Sequence, residues 1–346
     1  MKFLYINTGN KYPPDKHLAD GLRENGHEVF ELIPNKQGLN KYINFAQRFW
    51  ENKYLFDVII VGYGLPFLVP LVRFMSLRKI IFNAVSSQYE ANIISRGTDR
   101  PWSLIALKWW LVDFISFHFS SKIILESNAQ INFIHKYFLV SKNKLILSWM
   151  GVDEEIFFRD SNIEKKQKFT VLFRGRFLPE SGILTVIEAA KKLEDRDVKF
   201  LIVGHGFMYR EVNALMEKLK PKNIEMMAEK LPEKELREHM LACHISLGQL
   251  AKHPRLLRTL PAKLFESLAL GLPYLTGRNA GALELLKENE NCIVVEGGNP
   301  DDLAEKILYL RDNPDVRERI GTAGYELYKQ KLTSKILATE VLATCH

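Results

Sequence analysis

The chain has 346 residues, of which 47% are hydrophobic and 26% are charged. This is the composition of an ordinary globular protein, and the length suits two α/β domains better than a single core. The three cysteines, Cys243, Cys292 and Cys345, are too few and too widely spaced for a disulfide framework, and they favour a reducing, cytoplasmic compartment. No apolar stretch offers the ~20 uninterrupted residues of a membrane span, so we expect a soluble or peripheral protein.

Positive charge is concentrated in the first part of the chain. Residues 1–150 contain 18 Lys and Arg against 11 Asp and Glu, whereas residues 151–346 contain 30 of each. This imbalance predicts an anionic partner for the first half. An anionic membrane surface or a phosphorylated acceptor is favoured over nucleic acid, because no nucleic-acid-binding motif is present. A basic surface that is merely solvated is the alternative.

Short apolar runs recur along both halves, with helix-like stretches between them, such as the one from Asp15 to Asn25. The runs cover residues 2–7, 28–33, 57–62, 79–84, 122–126, 144–148, 168–174, 199–204, 223–228, 243–248, 272–276 and 292–296. Near-continuous apolar strands that alternate with helices are typical of parallel sheets covered on both faces. We therefore predict an α/β protein with two Rossmann-like domains facing across a cleft. The predicted domains are residues 1–150 and 151–325, followed by a C-terminal helix at 326–346 that packs back on the first domain.

One helical segment carries the clearest chemical signal. Pro261 suits the first turn of a helix, and Gly271 suits its end. Lys263 and Glu266 are three residues apart, so they share one helix face near its N-terminus. Such an end attracts phosphate, and a carboxylate there can hold a ribose diol. An exposed ion pair between these two side chains is the alternative.

The segment from Leu260 to Gly277 resembles the P-x-K-x-x-E…A-x-G-x-P signature of retaining GT-B glycosyltransferases of the large family 4. Four other segments resemble motifs of that family in the family's order, and they lie at 148–157, 175–182, 201–206 and 284–295. The resemblance covers the second half of the chain closely and the first half loosely. It implies a GT-B fold, a nucleoside-diphosphate sugar as the donor, and a glycan, lipid-linked or other acceptor.

The resemblance also implies roles for individual residues. Glu266 would bind the donor ribose, Arg176 would bind the pyrophosphate, and Lys263 would lie close to the same phosphates. Gly151 and Asp153 would be structural residues at the hinge between the domains. The predicted donor-binding residues, which include two that depart from the family pattern, are Arg176, Lys263, Glu266, Gly9, Ser181, Gly204, Arg258 and Glu284.

The sequence departs from the family pattern at three places. Ser181 stands where the family's glycine-arginine loop has a phosphate-binding lysine, and a serine supplies no charge. Arg258 stands at the first glutamate of the commoner E-x7-E version, and with Lys252 and Arg255 nearby it is a candidate to replace the missing charge. The histidine that often follows the fourth strand is absent from the stretch at 83–91. No catalytic base is assigned, since the phosphate of the donor can deprotonate the acceptor.

We expect neither a metal nor another cofactor. No D-x-D pair follows an apolar strand, and helix capping accounts for Asp301 and Asp302. The predicted function is sugar transfer with retention from a nucleotide sugar. Two alternatives stay open, namely a nucleotide-sugar-binding subunit without activity and a GT-B nucleotide-sugar epimerase.

An aromatic segment at 100–117 allows two interpretations. It is apolar nearly all round, which is typical of a buried helix. Its tryptophans and its lysine also suit a surface that enters a bilayer or receives a lipid tail. The second interpretation would make the protein peripheral on the cytoplasmic face of a membrane.

Overall fold

A computed structural model describes residues 1–9, 13–33, 40–52, 55–228 and 231–345. The chain forms two compact units. Unit 1 consists of Met1–Asp153 together with Lys331–His346, and unit 2 consists of Glu154–Gln330.

Unit 1 contains a parallel sheet of six strands in the order β2-β1-β3-β4-β5-β6. The strands are β1 (Lys2–Ile6), β2 (Glu28–Leu32), β3 (Val58–Val61), β4 (Lys79–Val85), β5 (Lys122–Leu125) and β6 (Leu145–Leu147). The helices are α1 (Pro13–Glu24), α2 (Asn40–Asn52), α3 (Leu68–Met75), α4 (Leu104–Phe119) and α5 (Asn128–Tyr137), and a π-helical turn spans Glu90–Ser95. Core residues on both faces of this sheet are buried, which agrees with the continuous apolar sequence of an inner strand such as β3. The edge strand β2 differs, since it contains Glu28 and Glu31 and is largely exposed.

Unit 2 contains a second parallel sheet of six strands in the order β12-β11-β10-β7-β8-β9. The strands are β7 (Phe169–Arg174), β8 (Val198–Val203), β9 (Ile224–Met227), β10 (Ile245–Leu247), β11 (Tyr274–Gly277) and β12 (Ile293–Val295). The helices are α6 (Ile183–Lys192), α7 (Tyr209–Leu219), α8 (Glu233–Ala242), α9 (Ala262–Ala269), α10 (Pro300–Asp312) and α11 (Pro314–Lys331). The prediction of two Rossmann-like parallel sheets is confirmed.

The last helix, α12 (Ser334–Leu342), packs against α1 in unit 1. The two helices approach closely at Gly21, where a Cβ atom would lie 1.9 Å from the carbonyl oxygen of Ser334. Asn25 adds a hydrogen bond from its side-chain amide to the Lys335 carbonyl at 2.9 Å. The stretch predicted as one helix at 326–346 thus contains the end of α11 and the separate α12, and its last residue, His346, lies outside the described residues.

Within the described ranges, the helices are too short or too polar to cross a bilayer.

Candidate functional site

The loops that follow β7 and β8 lie side by side in unit 2. The amide of Gly175 donates to the Val203 carbonyl at 3.0 Å, and the amide of Phe177 donates to the His205 carbonyl at 3.0 Å. A Cβ atom at Gly204, whose φ is +151°, would lie 1.9 Å from the Gly175 carbonyl oxygen. Only glycine fits there. Gly204, a predicted donor-binding residue, therefore permits the close approach of the two loops.

Lys263 lies in the first turn of α9 and is almost completely buried, with 4% of its surface exposed. Its Nζ has no hydrogen-bond partner among the described residues and lies 4.0 Å from the centre of the Phe173 ring. Its Cδ is 3.9 Å from the position that a Cβ at Gly175 would take, so the side chain reaches the loop after β7. Burial, and next the charge of Arg174, hold the pKa of Lys263 well below its ordinary value.

Glu266 lies one turn further along α9 and is buried. Its Oε1 is 3.0 Å from Nη2 of Arg174, whereas its Oε2 receives no hydrogen bond from the part of the chain that the structure describes. Burial raises the pKa of this carboxyl, and the Arg174 guanidinium partly opposes that shift. The exposed Lys263–Glu266 ion pair considered from the sequence is wrong, because both side chains are buried and Glu266 pairs with Arg174.

Arg174 is a site residue that the sequence interpretation missed. It is the last residue of β7, and its side chain is 26% exposed. A charged residue at the carboxyl end of an otherwise apolar strand was the available signal, because ligands bind beyond these ends in open α/β sheets.

Arg176 follows two residues later and is exposed. Its side chain forms no hydrogen bond or ion pair with the described residues. A basic side chain that is not held by the protein remains available to a ligand. Three basic side chains, Arg174, Arg176 and Lys263, thus lie at this end of the sheet, and Arg176 is the one among them that is exposed.

Ser181 is buried rather than presented to solvent. It belongs to a 3-10 turn at Pro179–Ser181 that precedes α6. Its carbonyl accepts the amide of Leu250 at 3.2 Å, and its hydroxyl accepts the amide of Ile183 at 3.4 Å. The hydroxyl thus already has a structural role.

A largely buried arginine lies beside this turn. The Nε of Arg255 is 3.5 Å from Oε1 of Glu180, the residue before Ser181, and the two side chains are 12% and 3% exposed. Nε and Nη1 of Arg255 are buried and form no hydrogen bond within the described ranges. Arg255, one of the three basic residues considered as substitutes for the missing lysine, is thus held next to Ser181 by an ion pair.

The remaining predicted residues of unit 2 lie in two neighbouring turns. Arg258 ends the 3-10 turn at Pro254–Leu257 and is half-buried, and Glu284 ends the turn at Ala282–Glu284 and is exposed. The amide of Gly281 donates to the Leu256 carbonyl at 3.1 Å and so joins the two turns.

Gly9 belongs to unit 1 and follows β1 there. Its φ is +74°, and its amide donates to the side-chain oxygen of Asn7 at 2.9 Å. The other predicted donor-binding residues all belong to unit 2.

A buried polar network also lies in unit 1. Asp15 accepts hydrogen bonds from the Tyr5 hydroxyl at 2.9 Å, from the Asn83 amide at 3.1 Å and from the Tyr63 backbone. Burial raises the pKa of Asp15 to about 6, and these hydrogen bonds act in the opposite direction. Two residues after Asn83, the β-branched Val85 has φ of +61°. Such strain is often found at functional sites.

Potential metal ligands do not cluster in the described parts of the chain, where no three His, Cys, Asp or Glu side chains are placed to share an ion. The capping interpretation of Asp301 and Asp302 needs correction. Asn299 is the N-cap of α10, and its side chain accepts both of their amides, at 3.0 and 3.2 Å. The two aspartates instead occupy the first turn of α10, where their negative charge interacts favourably with the helix dipole.

Sequence and fold are both similar to those of known glycosyltransferases. Residues 153–327 match the family described as Glycosyl transferases group 1. An uncharacterized glycosyltransferase of Methanocaldococcus jannaschii is 28% identical over 189 residues, which are 55% of this chain and 50% of that protein's length. The N-acetyl-alpha-D-glucosaminyl L-malate synthase of Bacillus anthracis is 22% identical over 342 residues, or 95% of this chain and 84% of that enzyme. The crystal structure of Anabaena HepE in complex with UDP and glucose has a TM-score of 0.75 at 14% identity and covers 99% of both chains.

Proposed function

Because the chain belongs to the glycosyl transferases group 1 family, we propose that it moves a sugar, with retention, from a nucleoside-diphosphate sugar to an acceptor. One observation carries this proposal. Lys263 and Glu266 are buried at the start of α9, and neither Nζ of the first nor Oε2 of the second has a hydrogen-bond partner in the described structure. Buried charged groups are ordinarily paired. A ligand with both an anionic and a hydroxyl-bearing part would satisfy the two atoms at once.

A nucleoside diphosphate has both parts. The diphosphate binds to Lys263 and Arg176, and the N-terminus of α9 also attracts phosphate. The ribose hydroxyls donate to Glu266, whose orientation Arg174 fixes through the 3.0 Å contact. UDP is the first nucleotide to test, since the HepE structure contains it.

The same cations would assist the reaction. Breaking the bond between sugar and phosphate leaves negative charge on the diphosphate, and positioned cations stabilise that charge. The departing phosphate then accepts the proton of the acceptor hydroxyl, so retention needs no separate base. We further propose that these side chains do without a metal ion.

Arg255 is proposed to replace the lysine that is absent at position 181. Its guanidinium is largely buried next to the turn that contains Ser181, and part of its hydrogen-bonding capacity is unused by the described residues. Glu180 holds the Arg255 side chain in place and offsets part of its positive charge. A diphosphate that arrived there would gain a charge-assisted hydrogen bond, which contributes about 1.5–3 kcal/mol.

The acceptor is proposed to be a glycan or a lipid-linked sugar at the cytoplasmic face of a membrane. The excess of 7 positive charges in residues 1–150 supports an acceptor or a surface that carries negative charge.

The first test is ligand-dependent stabilisation of the full chain by UDP, GDP and ADP. A ligand that binds only the folded state at a hundredfold excess over its Kd adds about 2.7 kcal/mol of stability. A rise in melting temperature with one of these nucleotides is expected. If none of the three nucleotides raises the melting temperature, the assignment of the donor site is wrong.

The second test measures the products formed from a panel of nucleotide sugars with sugar and lipid-linked acceptors. Transfer with retained anomeric configuration is expected. Binding without transfer or hydrolysis would identify an inactive binding subunit, for which the uncharged Ser181 is the relevant observation. Conversion of the donor into its epimer would identify an epimerase.

A further inference from the structure

Helix α4 exposes an apolar face in unit 1. Leu104, Leu107, Leu111 and Ile115 are 85%, 50%, 42% and 41% exposed. Their spacing of three and four residues places them on one side of the helix. Trp102, just before the helix, is 97% exposed. Together these five residues form the α4 face.

The rotation of α4 is fixed by polar contacts on its other side. The carboxylate of Asp113 accepts the backbone amides of Gln88 and Tyr89 at 3.0 and 2.8 Å. The hydroxyl of Ser116 donates to the carbonyl of Pro66 at 2.9 Å. Turning the leucines inward would break these buried hydrogen bonds, so the exposure of the α4 face is a stable feature of unit 1.

The α4 face continues onto the neighbouring helix α3. A groove of about 430 Å³ runs between the two helices, with Phe67 and Pro70 on the α3 side. Further exposed apolar residues are Phe74, at 79%, and Leu77, at 96%. Contiguous apolar surface of this kind on a soluble protein marks an interaction site.

The charges nearby indicate which partner fits. Residues 66–121 contain six Lys or Arg and three Asp or Glu, and two of those acids, Glu90 and Asp113, are buried. Arg78, Arg100 and Lys108 are exposed. An apolar surface bordered by cations suits a bilayer with anionic headgroups. It suits a second copy of the chain poorly, since the cations of two copies would repel.

We propose that the α4 face docks on the surface of an anionic phospholipid bilayer. Trp102 and the leucines enter the boundary between headgroups and acyl chains, where tryptophan is enriched, and the bordering cations contact the headgroups. This inference deepens the proposed function, because docking would bring the protein to an acceptor at the membrane. It rests on the proposed function only for that acceptor, since docking itself does not require sugar transfer.

The test is co-sedimentation of the full chain with vesicles of phosphatidylcholine alone, or of phosphatidylcholine and phosphatidylglycerol in equal parts. We expect binding to the anionic vesicles at low ionic strength, and weaker binding as salt shortens the Debye length to ~3 Å near 1 M. Trp102→Ser combined with Leu104→Ser should weaken binding at least about tenfold, which corresponds to about 1.4 kcal/mol. Both residues are exposed, so the fold should tolerate the change.

The matched control is Tyr309→Ser, which removes an exposed aromatic residue from α10 in unit 2. This control should bind vesicles like the wild type, and all three proteins should keep the same thermal response to UDP. A failed donor site would abolish that response and leave vesicle binding unchanged, so the two proposals fail separately. Three results would overturn the docking proposal: no preference for anionic vesicles, unchanged binding by the double variant, or a wild-type dimer that the double variant converts to a monomer without any vesicle binding.

Discussion

Replacing Lys263 by methionine should stabilise the ligand-free protein and weaken its binding of UDP. The side chain is almost completely buried, and its Nζ forms no hydrogen bond with the residues that the structure describes. Methionine has a similar length, an unbranched chain and a similar helix propensity, so it can occupy the same space in α9. The change therefore removes a buried polar atom with little loss of packing.

The expected magnitude follows from two opposing contributions. A buried polar group without a partner costs about 1–3 kcal/mol. The contact with the Phe173 ring at 4.0 Å offsets about 0.5–2 kcal/mol of that cost. A net stabilisation of about 1 kcal/mol remains, which raises the melting temperature of a unit of this size by about 2–4 °C. Loss of a charge-assisted hydrogen bond to phosphate costs about 1.5–3 kcal/mol, so UDP affinity should fall at least about tenfold.

Thermal unfolding with and without UDP measures both effects on one sample. The control is Lys218→Met on α7, where the lysine is exposed and carries no ion pair with the described residues. It should change neither the melting temperature nor the response to UDP. A lower melting temperature for Lys263→Met would mean that this lysine stabilises the fold, and an unchanged response to UDP would remove it from the donor site.

Other substitutions and conditions should have equally definite results. Arg176→Ala should lower transfer at least about tenfold, or about 1.4 kcal/mol, without changing the melting temperature, because the side chain is exposed; a wild-type rate would remove Arg176 from the reaction. Arg255→Gln should lower turnover at least about tenfold, and Arg255→Lys should restore part of it; equal rates for both variants would show that the charge is unimportant. Transfer should persist in excess EDTA, since cationic side chains oppose the charge of the diphosphate, and a loss reversed by magnesium would contradict this. Burial lowers the pKa of His17 from 6.5 to about 4, so its contribution to stability is present above pH 6.5 and is lost as the pH falls toward 4. Between pH 6.5 and pH 4 the free energy of unfolding of His17→Asn should therefore fall by about 3 kcal/mol less than that of the wild type. Urea unfolding at the two pH values measures this, and an equal fall for both proteins would refute it.

The fold could be predicted from the sequence because most of its strands are short, nearly uninterrupted apolar runs. β3, for example, consists of Val58–Val61, and all four residues are buried. Parallel strands covered on both faces must be apolar without alternation, and that pattern is local in the sequence. Helix ends were harder. The cap of α10 is Asn299 rather than Asp301 or Asp302, and Pro300, which suits the first position of a helix, was the available signal for it.

The candidate site was predicted in its parts but not in its pairings. The spacing of Lys263 and Glu266 on one helix by itself favours an exposed ion pair, and the resemblance of the surrounding segment to the family motif is what predicts a ligand site. The burial of these two side chains depends on β7, the first strand of the second sheet, which brings Arg174 to Glu266. Several helices and strands separate β7 from α9 along the chain, so no local pattern could reveal this contact. Such contacts exist only once the sheet has assembled.

The three cations proposed for the diphosphate differ in how far the protein already compensates their charge. Arg176 is exposed and hydrated, so a phosphate must displace water from it. Arg255 is largely buried, but Glu180 lies 3.5 Å away and cancels part of its field. Lys263 is buried, and no described side chain accepts a hydrogen bond from its Nζ.

An interaction in such buried surroundings is stronger than one in water. A diphosphate therefore gains most from Lys263, and loss of this charge should lower UDP affinity more than loss of Arg176 or Arg255. Titration of UDP into the three single variants measures the order, and an equal or smaller loss for Lys263→Met would contradict it. The site can then tolerate Ser181, because the largest share of the binding energy comes from the helix rather than from the loop that lacks its lysine.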